Sequence, residues 1–227
     1  MERHIHCPDP DETTLAQFEH CCSQDYVTAA ALMPDAHAGY VAPIGAVLIA
    51  RDHVVPAWVG YDIGCGMIAV KLSGKDLLKK CKAHREAIYE RVRARIPMGM
   101  GNKNDIHKLT KETREDYKKL VERFAQGPHD RDILNFFRQG AEAHLGTLGG
   151  GNHFIELDEH DGDVWLVIHS GSRGVGYKVA QKYMQKSAGR DWQYEETHPL
   201  SVDSELGKEY LNILSFGLEF ALLNRLE

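Results

Sequence analysis

The sequence predicts an α+β protein with a mixed β-sheet core and flanking helices, and three observations predict it. Apolar runs of strand length cluster at 44–72 and 153–169. Amphipathic helical stretches fill 75–145 and the C-terminal third. No repeat, low-complexity tract or Pro/Gly/Ser-rich linker divides the 227 residues, so a single domain over 1–227 is the economical reading. Hydrophobic content of 43% and charged content of 26% are those of an ordinary globular protein, and no run of 18 apolar residues is present to span a bilayer. The N-terminus Met1-Glu2-Arg3-His4 opens no apolar signal region, which predicts a cytoplasmic protein with no membrane partner. The five cysteines are odd in number and form no CxxC, arguing against a disulfide scaffold and leaving Cys65 free to be a thiolate. A net charge of −6 excludes general coating of nucleic acid while permitting a local basic site.

Taken in order, Thr13 to Ala31 reads as a helix around Leu15, Phe18 and Val27. Leu32 to Gly39 reads as a polar loop in which Asp35 and His37 either bind a substrate or build the turn through side-chain hydrogen bonds. Ile44–Ala50 is a strand. Gly60-Tyr61-Asp62-Ile63-Gly64-Cys65-Gly66 follows as a tight turn between the apolar runs Val54–Val59 and Met67–Leu72, both read as strands. Its glycines permit positive φ and let a carboxylate and a thiolate point into one cavity; the competing reading is a plain turn with a buried cysteine. Lys75 to Arg95 predicts one amphipathic helix with Cys81 in its core stripe, closed by a loop at Pro97 to Asn102. Lys103 to Gln126 predicts a second helix with Leu109, Tyr117, Leu120, Val121 and Phe124 buried, and Asp132 caps a third that runs through Leu145.

Two further glycine-rich stretches carry histidines. Gly146 to Leu157 sets three consecutive glycines before Asn152 and His153 and then enters a strand, where alternation would put His153 and Ile155 on one face and Asn152, Phe154 and Glu156 on the other. The hairpin Asp158–Asp163 and the run Val164–Ile168 deliver His169 into His169-Ser170-Gly171-Ser172-Arg173-Gly174, a strand-to-helix turn suited to a metal or an anion. The other histidines, among them His4, His20, His84, His107, His129, His160 and His198, sit in polar surroundings and read as solvated residues. Asp62, Cys65, His153 and His169 make a mixed O/S/N donor set, compatible with one tetrahedral zinc or with two metals bridged by the thiolate. Arg173 is placed to clamp a phosphate.

Together these stretches resemble the RtcB-type RNA-splicing ligases. The resemblance rests on Met33-Pro34-Asp35-Ala36-His37-Ala38-Gly39, on Val59 to Met67, on Leu148 to Glu156 and on His169 to Gly174, in that order. It implies the mixed α/β fold of that family, with a cleft built on β-sheets, and an enzyme that joins RNA 3′-phosphate or 2′,3′-cyclic phosphate ends to 5′-hydroxyl ends using GTP and Mn2+. It further implies that Asp62 ligates one of two manganese ions, that Cys65 bridges both, and that His153 and His169 serve the first and the second. Asn152, His153, Phe154, Ile155 and Glu156 would line the guanylate site, Glu156 reaching the guanine. Arg173 would hold a phosphate or RNA end, and Asp35 would be an active-site or RNA-binding acid. The implied partners are RNA ends, from tRNA halves or broken RNA, and an archease-type activator. The family's third metal-binding histidine and its guanylylated histidine lie downstream of the His169 to Gly174 motif, and no histidine follows His198 here. The chain therefore reads as the N-terminal part of the family fold, incomplete at its C-terminal side. The alternatives are a truncated non-catalytic paralogue that keeps metal binding, and a two-metal phosphatase or nuclease. The apolar stretch Tyr210 to Leu223 is then expected to lack its cover and to drive self-association.

Overall fold

The computed structural model describes residues 1–99, 101–189 and 195–227. In chain order they form β1 (Glu2–Ile5), α1 (Glu12–Cys22), β2 (Val27–His37), β3 (Ile44–Ala50), β4 (His53–Val54), α2 (Pro56–Val59), β5 (Gly66–Leu72), α3 (Leu77–Ala83) and α4 (Arg85–Arg95). Then come α5 (Lys111–Gln126), α6 (Arg131–Arg138), β6 (Phe154–His160), β7 (Asp163–Ser170), α7 (Arg173–Ala188), β8 (Leu200–Ser201) and α8 (Glu205–Leu226), with single 3-10 turns at Ile106–Lys108 and Ala141–His144. The α+β class is as expected. The chain divides into two compact units, residues 1–61 with 179–211 and residues 62–178 with 212–227. None of the helices among the described residues is long and apolar enough to cross a membrane.

In the first unit β1 pairs parallel and β3 antiparallel with the central β2. Asp11 caps α1 by accepting from the Thr14 N–H at 2.9 Å, and the helix then lays Phe18 and Cys22 on Ala30 and Leu32 of β2. Two corrections fall here. The helix expected through Ala31 stops at Cys22, because Val27 to Leu32 pairs with β1 and β3; the loop expected over 32–39 is strand as far as His37, with a register shift between Leu32 and His37. The strand expected at Val54–Val59 is also replaced. Pro56 sits at the start of the short helix α2, where its missing N–H costs nothing, and only His53–Val54 remains extended to pair with β8.

In the second unit β7 is the centre of an antiparallel sheet ordered β5-β7-β6. One face carries Ile68, Ile168 and Ile155 with Val70, Leu166 and Leu157, and an apolar groove between these β6 and β7 residues and α3/α4 is lined by Leu78, Cys81, Ile88 and Val92. The single helix expected over 75–95 is broken at His84, and neither piece buries a residue, so Cys81 is only half covered rather than core. The expected second helix begins late, at Lys111, where Thr110 caps it; the third is capped by Asp130, not Asp132, and ends at Arg138. Of the loop at 97–102, Met98 bridges Gly149, while Met100 lies outside the described residues.

The helical core of this unit is aromatic. Phe137 stacks on Phe216 at 3.9 Å between ring centroids, and Phe124 meets both edge-on at 5.2 and 5.5 Å. Phe216 and Phe220 of α8 are thus buried by α5 and α6. The stretch expected to be bare is covered in part, with Leu211, Leu218 and Leu222 left exposed. Replacing Phe216 by Ala removes the ring at the centre of this cluster and is expected to destabilise the chain by about 3–5 kcal/mol. A denaturant midpoint within 0.5 kcal/mol-equivalent of wild type, about the size of a neutral surface change, would contradict that placement.

Candidate metal centre

Three turns meet at one end of the β5-β7-β6 sheet. In the first, Ile63 is buried against Gly217 of α8 and Gly64 adopts φ 74° against Ala221, so Asp62 and Cys65 are left on the open side. The Cys65 N–H donates to the Asp62 carbonyl at 3.1 Å and closes the turn. In the second, the strand begins only at Phe154. His153 therefore leaves the loop outside the alternation expected of it, and its ring packs with that of His169 at 5.2 Å between centroids. In the third, His169 is the penultimate residue of β7, paired with Met67 on one side and Phe154 on the other.

The ligand-type atoms converge. Cys65 Sγ lies 3.1 Å from His169 Nε2 and 3.6 Å from His153 Nε2, and the three atoms all fall within 4.8 Å of one another. Asp62 Oδ2 lies 2.9 Å from His153 Nε2. Metal–sulfur and metal–nitrogen bonds of about 2.3 and 2.0 Å set at a tetrahedral angle separate S and N by about 3.5 Å, so these spacings fit common ligation. Asp62 stands on the His153 side of Cys65, which leaves the thiol shared between two halves of the cluster. The residues present suit a divalent cation of intermediate softness.

His153 Nδ1 faces two competing partners, the Arg173 guanidinium at 2.7 Å and the Leu148 carbonyl at 3.2 Å. With Nδ1 accepting from Arg173, the proton sits on Nε2 and is donated to Asp62. With the proton on Nδ1 and donated to Leu148, the Nε2 lone pair is free for a metal. One ring cannot do both, so ligation at Nε2 requires Arg173 to release the imidazole. Burial pushes the Cys65 thiol up to about 12, with the Asp62 hydrogen bond and charge adding to the rise and Arg225 and Arg173 opposing it. Burial also lowers the Arg173 pKa from its ordinary value, offset in part by Asp62 and Cys65.

Glycines make room for the charged groups. A Cβ at Gly149 would fall inside the Arg173 guanidinium, and one at Gly171 would overlap the Asp62 carboxylate. Arg173 itself has φ 57°, a left-handed conformation that costs a non-glycine residue of order 1 kcal/mol and is found at constrained sites. Of the remaining expected residues, Phe154 and Glu156 share the face of His169, and the Phe154 ring meets the His169 ring edge-on at 5.3 Å. Asn152 is exposed at the loop tip, whereas Ile155 lies on the opposite face, in the groove beneath α3 and α4. Asp35 lies in the first unit, exposed on β2, where its backbone carbonyl rather than its carboxylate is 3.0 Å from His37 Nδ1. Two residues of α8 that pattern reading passed over, Asn224 and Arg225, bond to the turns themselves. They follow the apolar run Phe220–Leu223 at the end of α8, and the signal available was that polar pair closing the run.

Fold and site define an α+β protein with a Cys/His donor cluster raised on glycine-rich turns at an open sheet end. The sequence profile described as "tRNA-splicing ligase RtcB" matches residues 17–227. The chain is 34% identical over 219 residues to the RNA-splicing ligase RtcB of Escherichia coli (strain K12), covering 86% of this chain and 50% of that protein. It is 28% identical over 239 residues to the tRNA-splicing ligase RtcB of Thermococcus kodakarensis, with 86% and 49% covered, and 28% identical over 263 residues to that of Aeropyrum pernix, with 95% and 54% covered. The chain belongs to the RtcB family of RNA-splicing ligases, and it spans about half the length of the curated relatives it matches.

Because the Cys65 thiol is protonated at neutral pH, a metal that binds it must displace that proton. Apparent affinity for Mn2+ or Co2+ is therefore expected to rise with pH, by about tenfold per unit for each proton released. Calorimetry in two buffers of different ionisation enthalpy counts the protons. Cys65→Ser, which puts a hard hydroxyl in place of the thiolate, should weaken binding and abolish the release assigned to the thiol; unchanged affinity and proton count would remove Cys65 from the site.

Proposed function

We propose that this chain carries the metal centre and part of the guanylate site of a GTP-dependent RNA ligase that joins 3′-phosphate or 2′,3′-cyclic phosphate ends to 5′-hydroxyl ends. The observation that carries the reading is the convergence of Cys65, His153 and His169 within 4.8 Å in a chain of the RtcB family. Asp62, Cys65 and His153 would hold one Mn2+, and Cys65 and His169 a second. Bound there, the ions would supply Lewis-acid stabilisation of charge on the transferring phosphates.

The chain's own residues bind and orient. Arg173, freed from His153 when Nε2 becomes a ligand, would present its planar fork to a phosphate beside the cluster. Phe154 offers a ring and Glu156 a carboxylate acceptor on the His169 face of the sheet, the chemistry a purine with N–H donors needs. Asn152, at the exposed loop tip, would contact the same nucleotide. Ile155 would support this site from behind, since it faces the opposite groove. Asp35 would serve as an acid toward the RNA end. The RNA ends themselves, their source in tRNA halves or broken RNA, and an archease-type activator remain the partners this reading implies.

Binding of GTP and ATP to the chain, each measured with and without Mn2+, tests the reading. Metal-dependent retention of GTP over ATP, lost in His169→Ala, is expected; equal retention of both nucleotides, or retention indifferent to metal, would favour a phosphatase- or nuclease-type centre. On this reading the guanylylated histidine of the family is not among these 227 residues, and attack on phosphorus needs a nucleophile about 3–3.5 Å away in line with the leaving group. His153 and His169 direct their Nε2 atoms into the donor cluster instead. Incubation with radiolabelled GTP and Mn2+ followed by denaturation should leave the chain unlabelled, and acid-labile label on the protein would show that a histidine present here is the nucleophile.

A further inference from the structure

The C-terminal end of α8 reaches all three turns that bear the donor atoms. Asn224 is 5% exposed and uses its whole amide: Oδ1 accepts from the Thr147 N–H at 3.2 Å. Its Nδ2 donates toward the Thr147 carbonyl at 3.2 Å, Ser170 Oγ at 3.1 Å and the Gly171 carbonyl at 3.3 Å. Arg225 donates from Nη1 to the Gly64 carbonyl at 2.8 Å and to the Ser170 carbonyl at 2.6 Å. Gly64 lies between Asp62 and Cys65, Thr147 opens the loop that ends in His153, and Ser170 follows His169. Two adjacent residues thus tie together the backbones of all three turns; among the described residues neither makes a hydrogen bond to Cys65, His153 or His169, and Arg225 bears on Cys65 through its charge, which Arg225→Lys retains.

From this geometry we infer that Asn224 and Arg225 are positioning residues of the metal centre, acting on the spacing of the turns rather than on the ion. The inference rests on the metal reading of Cys65, His153 and His169. The physical need is plain: the turns are glycine-rich, and glycine constrains a backbone least, while ligand atoms must be held to within about 0.5 Å to share a cation. A long helix supplies the rigidity. Its small residues Gly217 and Ala221 seat the Ile63-Gly64 turn from below, and Arg225 then sets the separation of Gly64 from Ser170, the neighbours of Cys65 and His169. Lys could carry the same charge but not the same planar donor geometry.

The test is a Co2+ titration of the 227-residue chain, read by the thiolate-to-cobalt absorption and by the d–d bands that report coordination geometry. Arg225→Met and Asn224→Leu are expected to lose affinity by roughly 10- to 100-fold, the range for residues that orient ligands without touching the ion, and to show shifted d–d bands. Phe220→Leu is the control: it weakens the same helix in its core, away from the turns, and should keep wild-type affinity and spectrum at a comparable melting temperature. If Arg225→Met does not fold, Arg225→Lys takes its place, with a smaller loss and the same band shift expected. Folded variants of both residues with wild-type affinity and bands would overturn the inference, as would an equal loss in Phe220→Leu. Absence of any thiolate-to-cobalt band in the wild-type chain is a different failure, which overturns the metal reading and the inference with it.

Discussion

The register of the β5/β7 ladder is the constraint on which the site depends. Gly66 pairs with Ser170 and Met67 with His169, so the residue just before β5, Cys65, and the residue just before the end of β7 emerge side by side. Strand side chains alternate, and a slip of one residue would turn His169 onto the face that carries Ile68 and Ile155, with α3 and α4 in its way. The ladder resists that slip because its other face sets Ile155, Leu157, Val164 and Leu166 into the apolar groove with α3 and α4, and a slip would withdraw them from it. Packing energy far from the cluster thereby specifies which donor atoms meet in it.

On that frame the turns contribute proximity of charge. Gly149 and Gly171 leave space that a side chain would fill, and Arg173 and Asp62 occupy it. The result is a carboxylate, a thiol, an imidazole pair and a guanidinium in one small region. His153 is the pivot, since the Arg173 guanidinium and the Leu148 carbonyl select opposite tautomers of its ring. Desolvation and the neighbouring Asp62 raise the Cys65 pKa, and Arg225 and Arg173 oppose the rise.

Much of this was legible in the order of residues. Glycine on both sides of Asp62 and Cys65, three glycines before Asn152 and His153, and a histidine ending an apolar run each announce a turn that presents a polar side chain, since few other patterns demand so many small residues beside polar ones. Helix ends were read less well. Val27 to Ala31 is alanine-rich and passes for helix, yet pairing on both sides makes it the centre of a sheet, and the half-apolar stripe of residues 75–95 gave no warning of the break at His84. Asp130, two positions before the residue expected to cap α6, took the cap because a side-chain oxygen there reaches the N–H groups of both Asp132 and Ile133.

The amino-acid sequence by itself determined the α+β class and the family and singled out the candidate donor residues, because these depend on local pattern: periodicity, glycine content and residue chemistry within a few positions of one another. The tertiary structure decided which donors meet, that Ile155 turns away from them while Phe154 and Glu156 do not, and that Asn224 and Arg225 hold the turns together. Those facts depend on strand register and on contacts spanning 53 to 161 positions along the chain, between Asn224 and Gly171 and between Arg225 and Gly64. No local pattern encodes such pairings, because their hydrogen bonds form only after the apolar faces of the sheet and α8 have been buried.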